Sequence, residues 1–173
     1  MKRSIIAAAL ILTATAVAAQ TPYAGMQNRS IKALSEQQVA DLAAGRGMGL
    51  ALAAELNGYP GPSHLLELAE KLELSADQRA SLKAMFDAMK SEALPLGAKL
   101  IEQEADLDKQ FVERTITPEN LKASTTAVAV TQGQLRETHL KYHLSTVAVL
   151  SPHQMHRYAE LRGYGDSPMK HHR

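Results

Sequence analysis

The chain carries seven histidines and no cysteine, so its polar chemistry rests on imidazole, carboxylate and amine, with no thiolate and no disulfide. The segment 139-HLKYH-143 sets His139 and His143 one helical turn apart, where both rings can address a single ion. Leu140 stands where the H-E-x-x-H signature needs its glutamate base, so the pair argues for binding rather than hydrolysis. His153 and His156 repeat the spacing on a smaller scale. Met169, His171 and His172 crowd the end of the chain, where a His-rich tract picks up metal loosely or is simply polar.

A second kind of chemistry sits in one turn around residue 86. Met85, Phe86 and Met89, with Lys83, Lys90 and Lys99 nearby, supply adaptable apolar contacts rimmed by charge, which suits binding of varied polypeptide. The same residues at helical spacing equally describe an ordinary core stripe. The chain contains no nucleophile elbow or phosphate loop, and its acids are spaced like solubilising helix faces, so no enzymatic activity is expected.

These side chains must be positioned by helices. Ala, Leu, Glu, Gln and Lys are abundant, tryptophan is absent and phenylalanine occurs twice, a composition that predicts an all-α fold with a thin core. The shape Leu-Ser-x-x-Gln is written three times, as 34-LSEQQ-38, 74-LSADQ-78 and 150-LSPHQ-154. Ser at the N-cap accepts from the N3 backbone and Gln at N3 returns the bond, so each copy is a capping box that starts a helix. The leading Leu can staple to an apolar N4 residue: Leu34 to Val39 and Leu150 to Met155. Leu74 faces Arg79 at N4 and must find another partner.

After Ser75, apolar residues at Leu82, Phe86, Met89, Ala93, Leu96 and Leu100 alternate at steps of four and three, predicting a long helix that runs through Pro95 with a kink. A second long helix starts at 117-TPEN-120 and extends to about Val149, forming an antiparallel hairpin with the first. A hairpin centred between Thr115 and Ile116 places Glu92 opposite His139 and Met89 opposite Tyr142. His139, His143, Met89 and Glu92 then become a candidate mixed-donor metal site. A short helix from Pro152 to about Arg162 folds back over the hairpin. Upstream, 57-NGYPGP-62 breaks the chain before a short helix at 64–72.

Lys2 and Arg3, the apolar run Ile5 to Ala18 and small residues at its end form the pattern of a cleavable signal peptide over 1–19. Its removal turns the formal charge from +1 to −1, which offers no general attraction to nucleic acid. The remaining order is an N-terminal extension at 20–62, a helical domain at 63–162 and a mobile tail at 163–173. No later apolar run reaches the roughly 20 residues of a membrane span.

With a signal, no cysteine, long helices and the paired motifs Leu74-Ser75-x-x-Gln78 and Leu150-Ser151-x-x-Gln154, the chain resembles the LTxxQ proteins of the bacterial periplasm, the Spy/CpxP chaperones and their heavy-metal-resistance relatives. The resemblance covers roughly residues 64 to 162. It implies a cradle-shaped homodimer in the periplasm that binds unfolded or misfolding envelope proteins without ATP or a required cofactor. The alternative it implies is binding, sensing or resistance toward copper, zinc, nickel or cobalt, with an envelope-stress or metal-signalling partner. Related sensors present two His-x-x-x-His/Met pairs, whereas this chain has one clear pair, with His64 the only histidine before it.

Overall fold

The computed structural model describes residues 23–164. The signal-peptide reading and the tail histidines lie outside the described residues. Among those described, all regular structure is helical. After a 3-10 turn at Met26–Asn28 come α1 (Glu36–Ala43), α2 (Leu52–Glu55), α3 (Pro62–Glu67), α4 (Ala76–Val112), α5 (Pro118–Thr146), a second 3-10 turn at Val147–Val149 and α6 (Pro152–Leu161). No helix among the described residues is long and apolar enough to cross a membrane.

All three Leu-Ser-x-x-Gln copies form the expected capping boxes, at Ser35, Ser75 and Ser151, and Thr117 with Asn120 makes a fourth. Each satisfies two of the backbone donors that a helix start leaves open. α4 passes through Pro95 unbroken, as the apolar pattern on both sides requires. Leu74, lacking a staple partner at N4, is buried in a cluster with Leu65, Ala69, Leu72, Leu82 and Tyr158.

Two copies do more than cap. Gln78 Nε2 donates to Gln154 Oε1 at 2.8 Å and to the Val149 carbonyl at 2.8 Å, while Gln154 Nε2 donates to Gln78 Oε1 at 3.1 Å and to the Leu72 carbonyl at 3.3 Å. The two glutamines thus cap their own helices with their oxygens and join the starts of α4 and α6 with their amide nitrogens. Gln38, in the third copy, makes only the capping bonds. The difference predicts an unequal response to one substitution. Gln78→Glu keeps the capping oxygen but faces two acceptors with no N–H, and is expected to cost about 2 kcal/mol in urea unfolding, whereas Gln38→Glu costs a few tenths. Equal costs at the two sites would reduce the motif to capping alone.

The antiparallel hairpin of α4 and α5 is the spine, and the segment before α3 lies along it. Ile31, Leu34 and Leu42 share a buried cluster with Ala93, Leu100 and Leu135 of the hairpin, and Lys32 reaches Asp108 at 3.1 Å. The closest approach is at Gly97. A Cβ built there would overlap the Leu42 carbonyl oxygen and lie 2.9 Å from the carbonyl carbon, so only glycine lets the end of α1 rest on α4. Beyond this seam the hairpin thins: from Ile101 to Val130 no side chain is fully buried.

Candidate functional site

A pocket of about 610 Å³ opens between the N-terminal segment and the base of the hairpin. The turn 45-GRGMG-49 forms one wall. Phe86 and Met89 of α4 and His139 and His143 of α5 form another, and Glu55, His64, Arg162 and Tyr164 close the end. Of the residues that sequence analysis singled out, His139, His143, Met89 and Phe86 are therefore brought together. Met89, His139 and His143 are buried, Phe86 is half-buried, and Met85 packs instead against the cluster around Leu82 and Tyr158. Of the Met/Phe turn, Met89 is thus core packing, while Met85 and Phe86 are only half-buried.

Glu92 does not join them. It accepts hydrogen bonds from Lys141 and, at 2.8 Å, from the Tyr142 hydroxyl, on an exposed face of the hairpin. Three residues along an α-helix rotate the side chain by about 60° from the starting face. With Met89 turned inward, Glu92 is carried out of the pocket and one turn from its expected partner. The Lys141 bond, with the Tyr142 bond beside it, holds the Glu92 carboxyl below its ordinary value.

His143 is also committed, whereas the buried Nε2 of His139 has no hydrogen-bond partner among the described residues. His143 Nδ1 lies 2.7 Å from the Tyr59 carbonyl, an acceptor only, so this nitrogen carries the proton and donates. Gly61 is pressed against the other side of the ring, where a Cβ would come within 2.7 Å of Nε2. Gly47 sits in the same way on His139, with a built Cβ 3.2 Å from Nδ1. Burial, reinforced by His143 one turn away, pushes the His139 imidazole below its usual value. Among the described residues no three His, Asp or Glu side chains converge as metal ligands. With Glu92 turned away and His143 packed between Tyr59 and Gly61, the set His139, His143, Met89 and Glu92 does not fit a metal centre in this arrangement.

The pocket's strongest polar feature is Glu55, which sequence analysis passed over. It is only 5% exposed. Oε1 accepts from the Tyr158 hydroxyl and from Tyr164 at 3.4 Å, and Oε2 accepts the Gly61 N–H at 3.0 Å. His64 Nδ1 stands 3.3 Å and Arg162 Nε 3.7 Å from Oε1, and His143 Nδ1 stands 3.6 Å from Oε2. Burial by itself raises a carboxyl, but here the nearby donors of His64, Tyr158 and Gly61 overcome it and bring Glu55 down to about 2. Burial and the Glu55 carboxylate together push the Tyr158 hydroxyl far above its ordinary range.

One sequence signal pointed here. Glu55 is the single charged residue in the run 48-MGLALAAEL-56, and an acid alone in an apolar stretch is buried only when it is paired. Its tyrosine partners are invisible at that level, because Tyr158 and Tyr164 are more than a hundred residues away.

A family model described as LTXXQ motif family protein matches residues 63–162. No curated protein and no solved structure matches the chain.

Proposed function

On the premise that the chain belongs to the LTXXQ motif family, we propose that it is a periplasmic stress protein of the Spy/CpxP type, which binds unfolded or misfolding envelope proteins without ATP. The observation that supports this reading is the far half of the hairpin. Phe111 is 53% and Val112 66% exposed, Leu121 and Val130 are exposed on α5, and no residue between 101 and 130 is fully buried. Glu102, Asp106, Lys109, Glu113 and Lys122 lie among these apolar groups and are themselves exposed. Exposed apolar groups interspersed with mixed charge are what transient binding of non-native chains requires. Pairing of two copies into a cradle belongs to the same reading, since a partner would cover a seam that one thin hairpin leaves half-open.

The binding surface is thus assigned to the hairpin tip in place of Met85, Phe86 and Met89. The heavy-metal role asks for histidine nitrogens free to ligate, and the packing of His143 against Tyr59 and Gly61 supports the polypeptide-binding reading over it. No cofactor and no catalytic step enter this reading.

The test is suppression of aggregation of an unrelated unfolding protein, without nucleotide. The wild type is expected to suppress at a few-fold molar excess. The triple change Phe111→Ser, Val112→Ser and Leu121→Ser is expected to remove most of that suppression with little effect on melting, because all three positions are exposed. Full activity in the triple variant would refute the assignment to the tip, and inactivity of the wild type at several-fold excess would refute the chaperone reading itself.

A further inference from the structure

The groups that hold Glu55 come largely from a different part of the chain than Glu55 itself. Glu55 projects from α2, ahead of the family-matched region, whereas His64, His143, Tyr158 and Arg162 lie within residues 63–162 and Tyr164 follows directly. Viewed from the helical domain, two tyrosine hydroxyls, a guanidinium and an imidazole converge on one point, and the Gly61 N–H and His143 close its other side. These are donors around a centre that has a single acceptor group.

We propose that the helical domain carries a carboxylate-binding socket, formed by Tyr158, Tyr164, Arg162 and His64, which Glu55 fills in cis and which takes a free carboxylate when Glu55 is absent.

Three observations support the assignment. Two hydroxyls and one cation stand around one oxygen and the Gly61 N–H donates to the other, an arrangement that favours an anion over its amide, since an amide NH2 would face either the Arg162 guanidinium or the Gly61 N–H, neither of which can accept. The donor supply also exceeds what Glu55 takes up. His64 Nδ1 and Arg162 Nε are buried and have no other hydrogen-bond partner, although they stand 3.3 and 3.7 Å from Oε1. The pocket beside α2, finally, is lined by Glu55, His64, Arg162 and Tyr164 and opens outward, so a small acid reaches the socket without unfolding the domain. The low value of the Glu55 carboxyl agrees with a site built for the ionised form.

The consequence is a link between the socket and the rest of the N-terminal segment. Glu55 is the segment's buried charged anchor on the domain, joined by the Tyr59 carbonyl on His143 and the Pro60 carbonyl on Thr146 Oγ1 at 2.6 Å. An incoming carboxylate competes with that anchor and favours release of the segment from the base of the hairpin.

Chemical rescue tests this directly and does not depend on the polypeptide-binding reading. In full-length Glu55→Ala protein near neutral pH and at constant ionic strength, about 0.1 M acetate is expected to restore several degrees of the lost melting temperature, and acetamide none. Adding Tyr158→Phe to Glu55→Ala is expected to abolish most of the rescue. If Glu55→Ala does not fold alone, the readout is its refolding yield in acetate against acetamide. A short glutamate-rich peptide in place of acetate distinguishes a polypeptide carboxylate from a free small acid by which gives the larger shift. Equal effects of acetate and acetamide, or an acetate shift as large in the wild type as in Glu55→Ala, would overturn the proposal.

Discussion

Glu55→Ala is expected to lower unfolding free energy by about 3–5 kcal/mol, among the largest losses any single substitution in this chain should produce. The change removes the one acceptor shared by Tyr158, Tyr164 and the Gly61 N–H and leaves the buried Arg162 and His64 nitrogens facing no charge. Urea unfolding near neutral pH reads the loss as a lower midpoint. Its pH dependence carries a definite sign. The Glu55 carboxyl is lowered from an ordinary 4.5 to about 2, so its contribution is fully present above about pH 4.5 and fades as pH falls toward 2. A displacement of that size corresponds to roughly 3 kcal/mol, in keeping with the expected cost. The gap between wild type and variant should therefore stay constant above pH 5 or so and narrow below it. A gap that is small at neutral pH, or that grows on acidification, would mean that the carboxylate contributes little in its ionised form.

Gly97→Ala should be nearly as severe, and its damage should be confined to one region. Alanine favours helix over glycine by roughly 1 kcal/mol in an exposed position, so a helix-propensity argument predicts stabilisation. The added methyl instead meets the Leu42 carbonyl, a main-chain group that moves only if the end of α1 moves with it. We expect a net loss of about 2–3 kcal/mol from overpacking against backbone. Hydrogen exchange locates it: amides of α1 and of the segment through Tyr59 should exchange much faster, while the far half of α4 and α5 keeps wild-type protection. Stabilisation by Gly97→Ala would show that the N-terminal segment does not rest on the hairpin at this point.

The two substitutions act on the same seam from opposite ends. Gly97 admits α1 by having no side chain, and Glu55 anchors α2 by having a charged one. Between them Gly47 and Gly61 lie flat on His139 and His143. Both histidines thus have main chain packed closely against their rings. An i, i+4 histidine pair reads as a chelating pair from sequence, because spacing alone says that two rings share a face and says nothing about what else lies on that face.

Sequence by itself determined whatever is local. Each capping box closes between residues three apart, so Ser35, Ser75 and Ser151 mark helix starts whatever the rest of the chain does. The apolar periodicity after Ser75 and the break before Pro118 likewise define two long helices and their antiparallel return, since helical period and a short turn are properties of neighbouring residues. Only the tertiary structure decided which faces meet. A rotation of about 60° around α4 separates Met89 in the pocket from Glu92 on the exposed face, a difference that hairpin counting does not resolve. The pairing of Gln78 with Gln154 spans 76 residues and that of Glu55 with Tyr158 spans 103, and neither follows from spacing. Such contacts depend on how far each helix turns and slides before its apolar stripe is buried, and that outcome belongs to the whole packed chain.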